Sequence, residues 1–179
     1  MEFADCGAFA AFLRERAAMM PEAAQAGLHA AGKLVLDEIH AELGHYQSGD
    51  AGFEDMAPLA RGTLEGWNTR QGRFEGKIER GFADDGNDNP LRATGEMASS
   101  FGIAVSEGGV EIGSNDPVAI YQNQGTRSRG VPFAPGETTE PGIPAREFIG
   151  RAAFRKAGEA VDAIATPVLA LLGIDARRF

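Results

Sequence analysis

Hydrophobic positions recur at helical spacing in the first quarter of the chain. Residues 22–43 carry an apolar stripe among alanines, which predicts a long helix that Gly44 ends. Residues 3–19 carry a shorter stripe, and Pro21 is expected to stop that helix and open the long one. The pattern leaves open whether residues 3–19 pack on the same domain or form an arm that docks on a neighbour.

The same spacing returns near the C-terminus, where residues 147–172 predict the last helix. Pro167 is expected to kink or end this helix, because proline lacks the N–H that a helix needs. The long N-terminal helix also carries small residues on which another backbone could approach closely. They are Ala26, Gly27, Ala30 and Ala31.

Alternating apolar and polar positions in the middle of the chain predict a β-hairpin. Residues 103–106 and 110–113 alternate in this way on either side of a tight turn at 107–109. A short helix is predicted over residues 91–101. Residues 118–121 can begin a helix or a third strand, and the pattern does not decide between them.

Glycine and proline interrupt the chain in two long stretches. Residues 44–90 predict either a flexible loop or short elements, with Trp67 as the apolar anchor of one short helix. Alternating cations and carboxylates within residues 70–80 suggest an exposed, salt-bridged surface. Residues 126–142 are polar and rich in Pro and Gly. They predict a long loop between two elements that lie side by side, such as the arms of an extended hairpin.

These patterns together predict an α+β fold. We expect a small antiparallel β-sheet with a long extended hairpin loop, packed against a long N-terminal helix and a C-terminal helix. We expect an N-terminal helix or arm over residues 1–20, a single domain over residues 21–173 and a short tail over residues 174–179.

Between the long loop and the last helix lies the segment Gly142–Gly150. Pro144 fixes its own φ and pushes Ile143 towards an extended conformation, so the segment is expected to turn from strand to helix. It presents Arg146 at the bend, and Phe148 is the first large apolar residue of the helix that follows. From residue type alone, Arg146 is either a solvated corner charge or a structural group.

Composition and charge narrow the class of protein. The 179 residues are 43% hydrophobic and 24% charged, which suits a globular domain with a core. No apolar run approaches the roughly 20 residues of a membrane span. No signal peptide is expected at the N-terminus. The single cysteine, Cys6, fits a reducing compartment. The net charge is −9, with −11 in residues 1–120 and +2 in residues 121–179. This balance disfavours tight binding to phosphates, whereas the two parts could attract each other in neighbouring copies.

A possible calcium loop precedes the short helix. Asp85, Asn87, Asn89 and Glu96 match the spacing of its ligands, but Pro90 stands where the loop requires glycine. A polar turn before a helix is therefore favoured over a calcium site.

Other chemical motifs are equally weak. His29, His40 and His45 are the only histidines, and with the one cysteine far away they favour a helix surface over a zinc site. The chain has no nucleophile elbow of the Gly-x-Ser-x-Gly type and no phosphate-binding glycine loop. We expect no catalytic residue, no metal and no cofactor.

Five short stretches are similar, in their order along the chain, to motifs of one protein family. They are Pro58–Thr63, Pro90–Ser100, Val110–Ser114, Ile120–Thr126 and Ile143–Gly150. Their succession resembles the virion morphogenesis, or tail-completion, proteins of tailed bacteriophages and prophages. The last stretch, for example, matches that family's pattern I-P-A-R-x-F-L/I-G, and the resemblance covers about residues 22–165.

The resemblance implies a structural role without catalysis. A small α+β subunit would form a homo-oligomeric ring of about six copies that joins head and tail at the neck or terminates the tail. Its expected partners are other neck, tail-tube or head-completion proteins, with DNA passing through the lumen without specific binding, and with no membrane. The protein would be a virion component assembled in the bacterial cytoplasm. The residues expected to serve the structure or the interface are Tyr121, Gln124, Gly125, Arg127, Arg129, Pro144, Arg146 and Phe148.

Two other classes of protein remain as alternatives. A nucleic-acid-binding or regulatory module would need a clustered basic face. The candidates for that face are Arg127, Arg129, Arg146, Arg151, Arg155 and Lys156. A small hydrolase with dispersed carboxylates is the less favoured alternative.

Overall fold

A computed structural model describes residues 3–50, 52–69, 72–83, 86–126 and 142–174 of the chain. These residues form an α+β fold with a long N-terminal helix, two small antiparallel sheets and a C-terminal helix, which confirms the predicted fold class. The predicted long loop lies outside the described residues except for its two ends. In chain order the elements are α1 (Cys6–Glu42), α2 (Arg61–Glu65), β1 (Trp67–Thr69), β2 (Gly72–Phe74), α3 (Glu96–Ser99), β3 (Phe101–Ser106), β4 (Gly109–Ser114), α4 (Pro117–Gln124) and α5 (Phe148–Leu171).

Helix α1 runs through Pro21 without a break, so the predicted stop at that residue is wrong. A proline inside a helix leaves the carbonyl four residues earlier without its hydrogen bond. That carbonyl belongs to Ala17, which is exposed, as is Pro21, so that water can bond it. The surrounding alanines favour the helix and offset the remaining loss. Pro167 likewise lies inside α5, which continues to Leu171.

The chain divides into two compact units, and α1, the β3–β4 hairpin and α5 contribute to both. Unit 1 comprises residues 1–36, 103–112 and 155–179, and unit 2 comprises residues 37–102 and 113–154. The arm and the single domain expected from the sequence stay predictions.

In unit 1, small residues of α1 allow a close approach of neighbouring elements. A Cβ atom added at Gly27 would lie 2.7 Å from the carbonyl oxygen of Ile164 in α5. A Cβ atom added at Gly32 would lie 2.6 Å from a methyl group of Val110 in β4. The expectation that small residues of this helix admit another backbone is therefore confirmed at Gly27.

The core of unit 2 gathers the last turns of α1 and the first turns of α5. Ile39 and Phe148 are completely buried, and Leu43 and Ala152 lie with them in the interior. The rings of Phe101 and Phe148 meet edge to face, with their centroids 6.0 Å apart. This cluster places the start of α5 deep in the unit.

Of the two alternatives left open for residues 44–90, short elements form within residues 61–74, as α2, β1 and β2, and the described residues on either side of them up to 45 and 90 form no helix or strand. The short helix predicted before Trp67 is confirmed as α2, and the Trp67 ring lies against it, since a Cβ atom added at Gly62 would lie 3.3 Å from that ring. Gly66 adopts φ +81° and ends α2, so Trp67 is the first residue of β1. Trp67 pairs with Phe74 of β2 and is 46% exposed.

The predicted β3–β4 hairpin is confirmed. Residues 118–121 form a helix and not a strand, because the Asp116 side chain accepts the Val118 N–H at 2.9 Å and caps α4.

Gly27→Ala should destabilise the protein, although alanine is the better helix former. The new methyl group would meet the Ile164 carbonyl, and relief of that overlap should cost about 1–3 kcal/mol. Gly158→Ala in α5 is the matched control, because no atom lies within 4 Å of its added Cβ. The control should stabilise by up to about 1 kcal/mol, as helix propensity predicts. Urea unfolding followed by circular dichroism measures both; shifts of the same sign would contradict the close contact.

Candidate functional site

The corner before α5 holds a buried arginine. Arg146 is 5% exposed, and its Nη1 donates to the side-chain oxygen of Gln122 at 2.6 Å. Its backbone N–H donates to the Gln122 carbonyl at 3.0 Å, so both parts of Arg146 are tied to the end of α4. Burial lowers the pKa of this guanidinium from its ordinary value. Of the two roles that the sequence left open, the structural one is therefore correct.

The same end of α4 caps the start of α5. The side-chain oxygen of Asn123 accepts the Ile149 N–H at 3.0 Å, and its backbone carbonyl accepts the Glu147 N–H at 3.0 Å. Glu147 has φ +36°, a strained value for a residue with a side chain. Two backbone N–H groups donate to this one asparagine and hold the turn, which directs the fully buried Phe148 into the core.

The two ends of the long loop meet at a closed base. Thr126 donates its N–H to the Ile143 carbonyl at 2.8 Å, and its side-chain oxygen accepts the Ile143 N–H at 3.0 Å. Gly125 has φ +77°, and a Cβ atom there would lie 2.8 Å from the Ala145 nitrogen, so this position requires glycine. Thr126 and Ile143, which flank the predicted loop, therefore lie side by side, with Pro144 exposed next to them.

A second buried arginine was not singled out as structural from the sequence. Arg151 in α5 is 1% exposed, and its two terminal nitrogens donate to the carbonyls of Ser48 and Glu54 at 2.6 Å each. Its guanidinium also lies over the Phe53 ring, 5.3 Å from the centroid. Arg151 therefore connects the irregular segment after α1 to helix α5 through hydrogen bonds. Its position three residues after Phe148, on the inward face of the helix, is the signal that could have identified it.

A half-buried lysine holds a second irregular segment. The Lys77 ammonium group donates to the carbonyls of Asp88 and Arg92 at 2.8 Å each, and also to the carbonyl of Asn89. Asn89 and Leu91 have φ +45° and +61°, and such values are rare for residues with side chains, above all for leucine. Burial lowers the pKa of Lys77, and the charge of Asp88 acts in the opposite direction. The prediction of an exposed surface over residues 70–80 is therefore wrong at Lys77. It is confirmed at Arg73 and Glu79, which form an exposed ion pair.

Tyr46 links the same segment to the start of α2. Its hydroxyl donates to the Asp88 carboxylate at 2.8 Å and accepts the Leu59 N–H at 3.0 Å. Burial raises the pKa of this phenol, and its hydrogen bond to Asp88 acts in the same direction.

A cavity of about 240 Å³ opens between these elements. Leu59 and Thr63 come from the first family-like stretch, Leu91 and Met97 from the second, and Gln122 from the fourth. Lys77, Arg92 and Val118 also line it. The structure thus brings three separate stretches of the sequence to one cavity, which no single motif could indicate.

The remaining described interface candidates are more exposed than Arg146 and Phe148. Tyr121 is half-buried in α4, and Gln124 is exposed at its end. Arg127 and Arg129 lie outside the described residues. Within the described part of the proposed basic face, Arg146 and Arg151 are buried, and Lys156 pairs with Glu159 at 2.8 Å.

The structure also locates the weak metal candidates. His40 donates to the Ala98 carbonyl at 3.0 Å, and Asn89 donates its side-chain amide to the Phe82 carbonyl at 3.0 Å. Asp85 lies outside the described residues. Across the described ranges, no three His, Cys, Asp or Glu side chains converge as metal ligands would. None of the described helices has the length and hydrophobicity that a membrane span requires.

Comparisons with protein-family models, with curated proteins and with solved structures find no match to this chain.

Arg146→Ala should destabilise unit 2 by about 1–3 kcal/mol, because it removes a buried side chain and leaves the Gln122 amide without its donor. Arg61→Ala is the control, since this side chain is 86% exposed. The control should leave the urea midpoint unchanged. Equal midpoints for the wild type and both variants would show that the corner does not depend on Arg146.

Lys77→Met should destabilise the protein by about 1–2 kcal/mol, because three carbonyls lose a charged donor while the stem of the side chain is retained. Lys156→Met removes an ammonium group from an exposed pair and should cost less than about 1 kcal/mol. Hydrogen exchange of the Arg92 N–H, which bonds to the Asn89 carbonyl, gives a local readout. Unchanged protection of that amide in Lys77→Met would contradict the proposed support.

Proposed function

We propose that this chain is a structural subunit of a phage or prophage particle, of the tail-completion type. It forms an oligomeric ring that joins head and tail or terminates the tail. The supporting observation is that the five family-like stretches, which are separate in the sequence, are connected in space through unit 2.

The contacts run from one stretch to the next. Leu59 and Leu91 line one cavity and connect the first two stretches. Ser100 and Ser114 connect the second to the third, with their hydroxyl oxygens 2.5 Å apart. The fourth stretch also lines the cavity, and it holds the fifth through the bond between Gln122 and Arg146. Proteins that share a fold need residues that make its internal contacts. The contacts between these five stretches therefore support the interpretation that they belong to one family pattern.

Exposed apolar residues support an assembly role. Phe3 and Phe9 form a ring pair with centroids 5.1 Å apart at the start of α1, and they are 37% and 45% exposed. Clusters of exposed apolar side chains are typical of surfaces that bind other proteins.

The charge distribution agrees with a ring through which DNA passes. Residues 1–120 are acidic and residues 121–179 mildly basic, which provides complementary patches for a contact between different surfaces of neighbouring copies. A net-negative chain also avoids the phosphate contacts that retain DNA. The partners on this proposal are neck, tail-tube or head-completion proteins, and the subunit is a virion component assembled in the bacterial cytoplasm.

The buried cations weigh against the alternative of a nucleic-acid-binding module. Arg146 and Arg151 were two of its six candidate residues, and both are enclosed and hydrogen-bonded within the protein. A guanidinium group in this position cannot reach a phosphate without unfolding the corner. An assembly role requires no such movement.

Disruption of the gene in the phage or prophage that encodes the chain tests the proposal. Electron microscopy of the lysate should show heads separate from tails, or tails with incomplete ends. A copy of the wild-type gene should restore complete particles, and the purified particles should contain the chain in a fixed ratio to the portal protein. Complete, infective particles from the disrupted strain would refute the assignment.

The long loop gives a second test of the same proposal. We predict that residues 126–142 become ordered on assembly. Trypsin should cleave the free subunit after Arg127 or Arg129 and should cleave it at least about tenfold more slowly in purified particles, because cleavage follows local opening. Mass spectrometry identifies the cut sites. Equal cleavage rates in both states would contradict the ordering of the loop.

A further inference from the structure

The β3–β4 hairpin forms an antiparallel sheet of two strands, so each strand has one edge without a neighbouring strand. Both strands are six residues long. In an antiparallel pair, every second residue of a strand turns its N–H and C=O away from its partner. Within the described ranges, no hydrogen bond reaches the backbone of either strand from outside the hairpin. Both edges therefore present a row of donors and acceptors with which another strand can pair.

Strand β3 lacks the features by which proteins usually protect an edge. Its sequence, Phe101–Ser106, contains no charged residue and no proline, although 24% of the chain is charged. Lysine, proline and inward-pointing charges are the usual means of blocking an edge. Strand β4 carries one charged residue, Glu111. An uncharged edge of six residues without proline is typical of a strand that pairs with another chain.

Open space adjoins this edge. A groove of about 350 Å³ lies between Val105 of β3 and a row of residues on α1. The residues of that row are Glu22, Gln25, Ala26 and His29. On the exposed face of the sheet, a Cβ atom added at Gly102 or Gly113 would meet no described atom within 4 Å. A neighbouring backbone can therefore approach β3 without displacing a described side chain.

We infer that β3 of one copy pairs with β4 of a second copy, so that the two hairpins form one continuous sheet. The chemistry of the edge identifies the kind of occupant, because an extended backbone presents the donors and acceptors that match such a row. Strand β4 has the same length as β3 and is the other open edge of the same hairpin. Strands β1 and β2 have three residues each and offer a shorter match.

The two edges are different surfaces of one subunit. A copy that accepts a strand on β3 still presents its own β4, so repetition of the contact produces a ring when the rotation closes. Pairing of β3 with β3 would instead end at a dimer. The inference deepens the proposed function and rests on it for the ring, whereas the strand pairing itself is tested in the isolated protein.

Hydrogen exchange of single amides provides a direct readout. Sedimentation of the full chain from low micromolar to near-millimolar concentration should show association beyond a dimer. Over the same range, alternate amides of both β3 and β4 should exchange at least about tenfold more slowly, because they gain hydrogen-bond acceptors. The amides of β1 and β2, which form the other two-stranded sheet, are the internal control and should exchange at an unchanged rate.

Three results would overturn the inference. The first is a chain that stays monomeric over the whole range. The second is association without slower exchange in both strands, or with equally slowed exchange in β1 and β2. The third is protection of β3 alone in a species that stops at a dimer, which would assign the edge to β3 of the second copy.

Two adjacent proline substitutions test the edge in matched form. Ala104→Pro and Val105→Pro remove neighbouring N–H groups, one of which faces β4 and the other outward. The faster exchange in the monomer identifies the outward group. Proline there should weaken association at least about tenfold and leave the urea midpoint close to that of the wild type, because edges tolerate proline. Proline at the inward position should lower the midpoint, because it removes a hydrogen bond of the hairpin.

An outward-position variant that folds and associates like the wild type would refute the strand pairing. Failure of this pairing leaves the gene-disruption test of the proposed function intact. Normal particles after disruption would refute that function while the pairing persisted.

Discussion

Backbone carbonyls in irregular segments need donors, and in unit 2 a buried arginine and a half-buried lysine supply them. Arg151 bonds two carbonyls of the segment after α1, and Lys77 bonds three carbonyls of the segment before α3. A charged donor of this kind is stronger than a neutral one, and one side chain satisfies several acceptors at once. The unit can therefore contain long stretches without helix or strand and still present defined surfaces.

This mode of support explains what the sequence could and could not predict. The helices and the β3–β4 hairpin follow from periodicity, because their own side chains report which face is buried. Lys77 lies among alternating charges, where periodicity predicts an exposed surface, and its true role depends on carbonyls 11 to 15 residues away. Distant backbone acceptors leave no pattern in the sequence, so the site around Lys77 could not be predicted.

The corner before α5 was predictable in part. Pro144 and the apolar residues after it indicated the turn into a helix, and the buried Phe148 confirms that reading. The caps that hold the turn come from Gln122 and Asn123, more than 20 residues earlier in the chain. Pro21 shows the converse error: a local rule predicted a break, whereas an exposed proline in an alanine-rich helix costs little enough for α1 to continue.

The same supports bear on assembly. The cavity wall includes Leu91, whose backbone conformation is unfavourable unless Lys77 holds the surrounding carbonyls. The cavity and the corner are thus properties of the single chain, whereas the Trp67–Phe74 pair stays nearly half exposed in it. The chain keeps a defined cavity and leaves an aromatic pair exposed, and on the proposed function that pair is apolar surface for a neighbour. On the proposed function, this division between internal polar supports and exposed apolar side chains would let the subunit fold before it assembles.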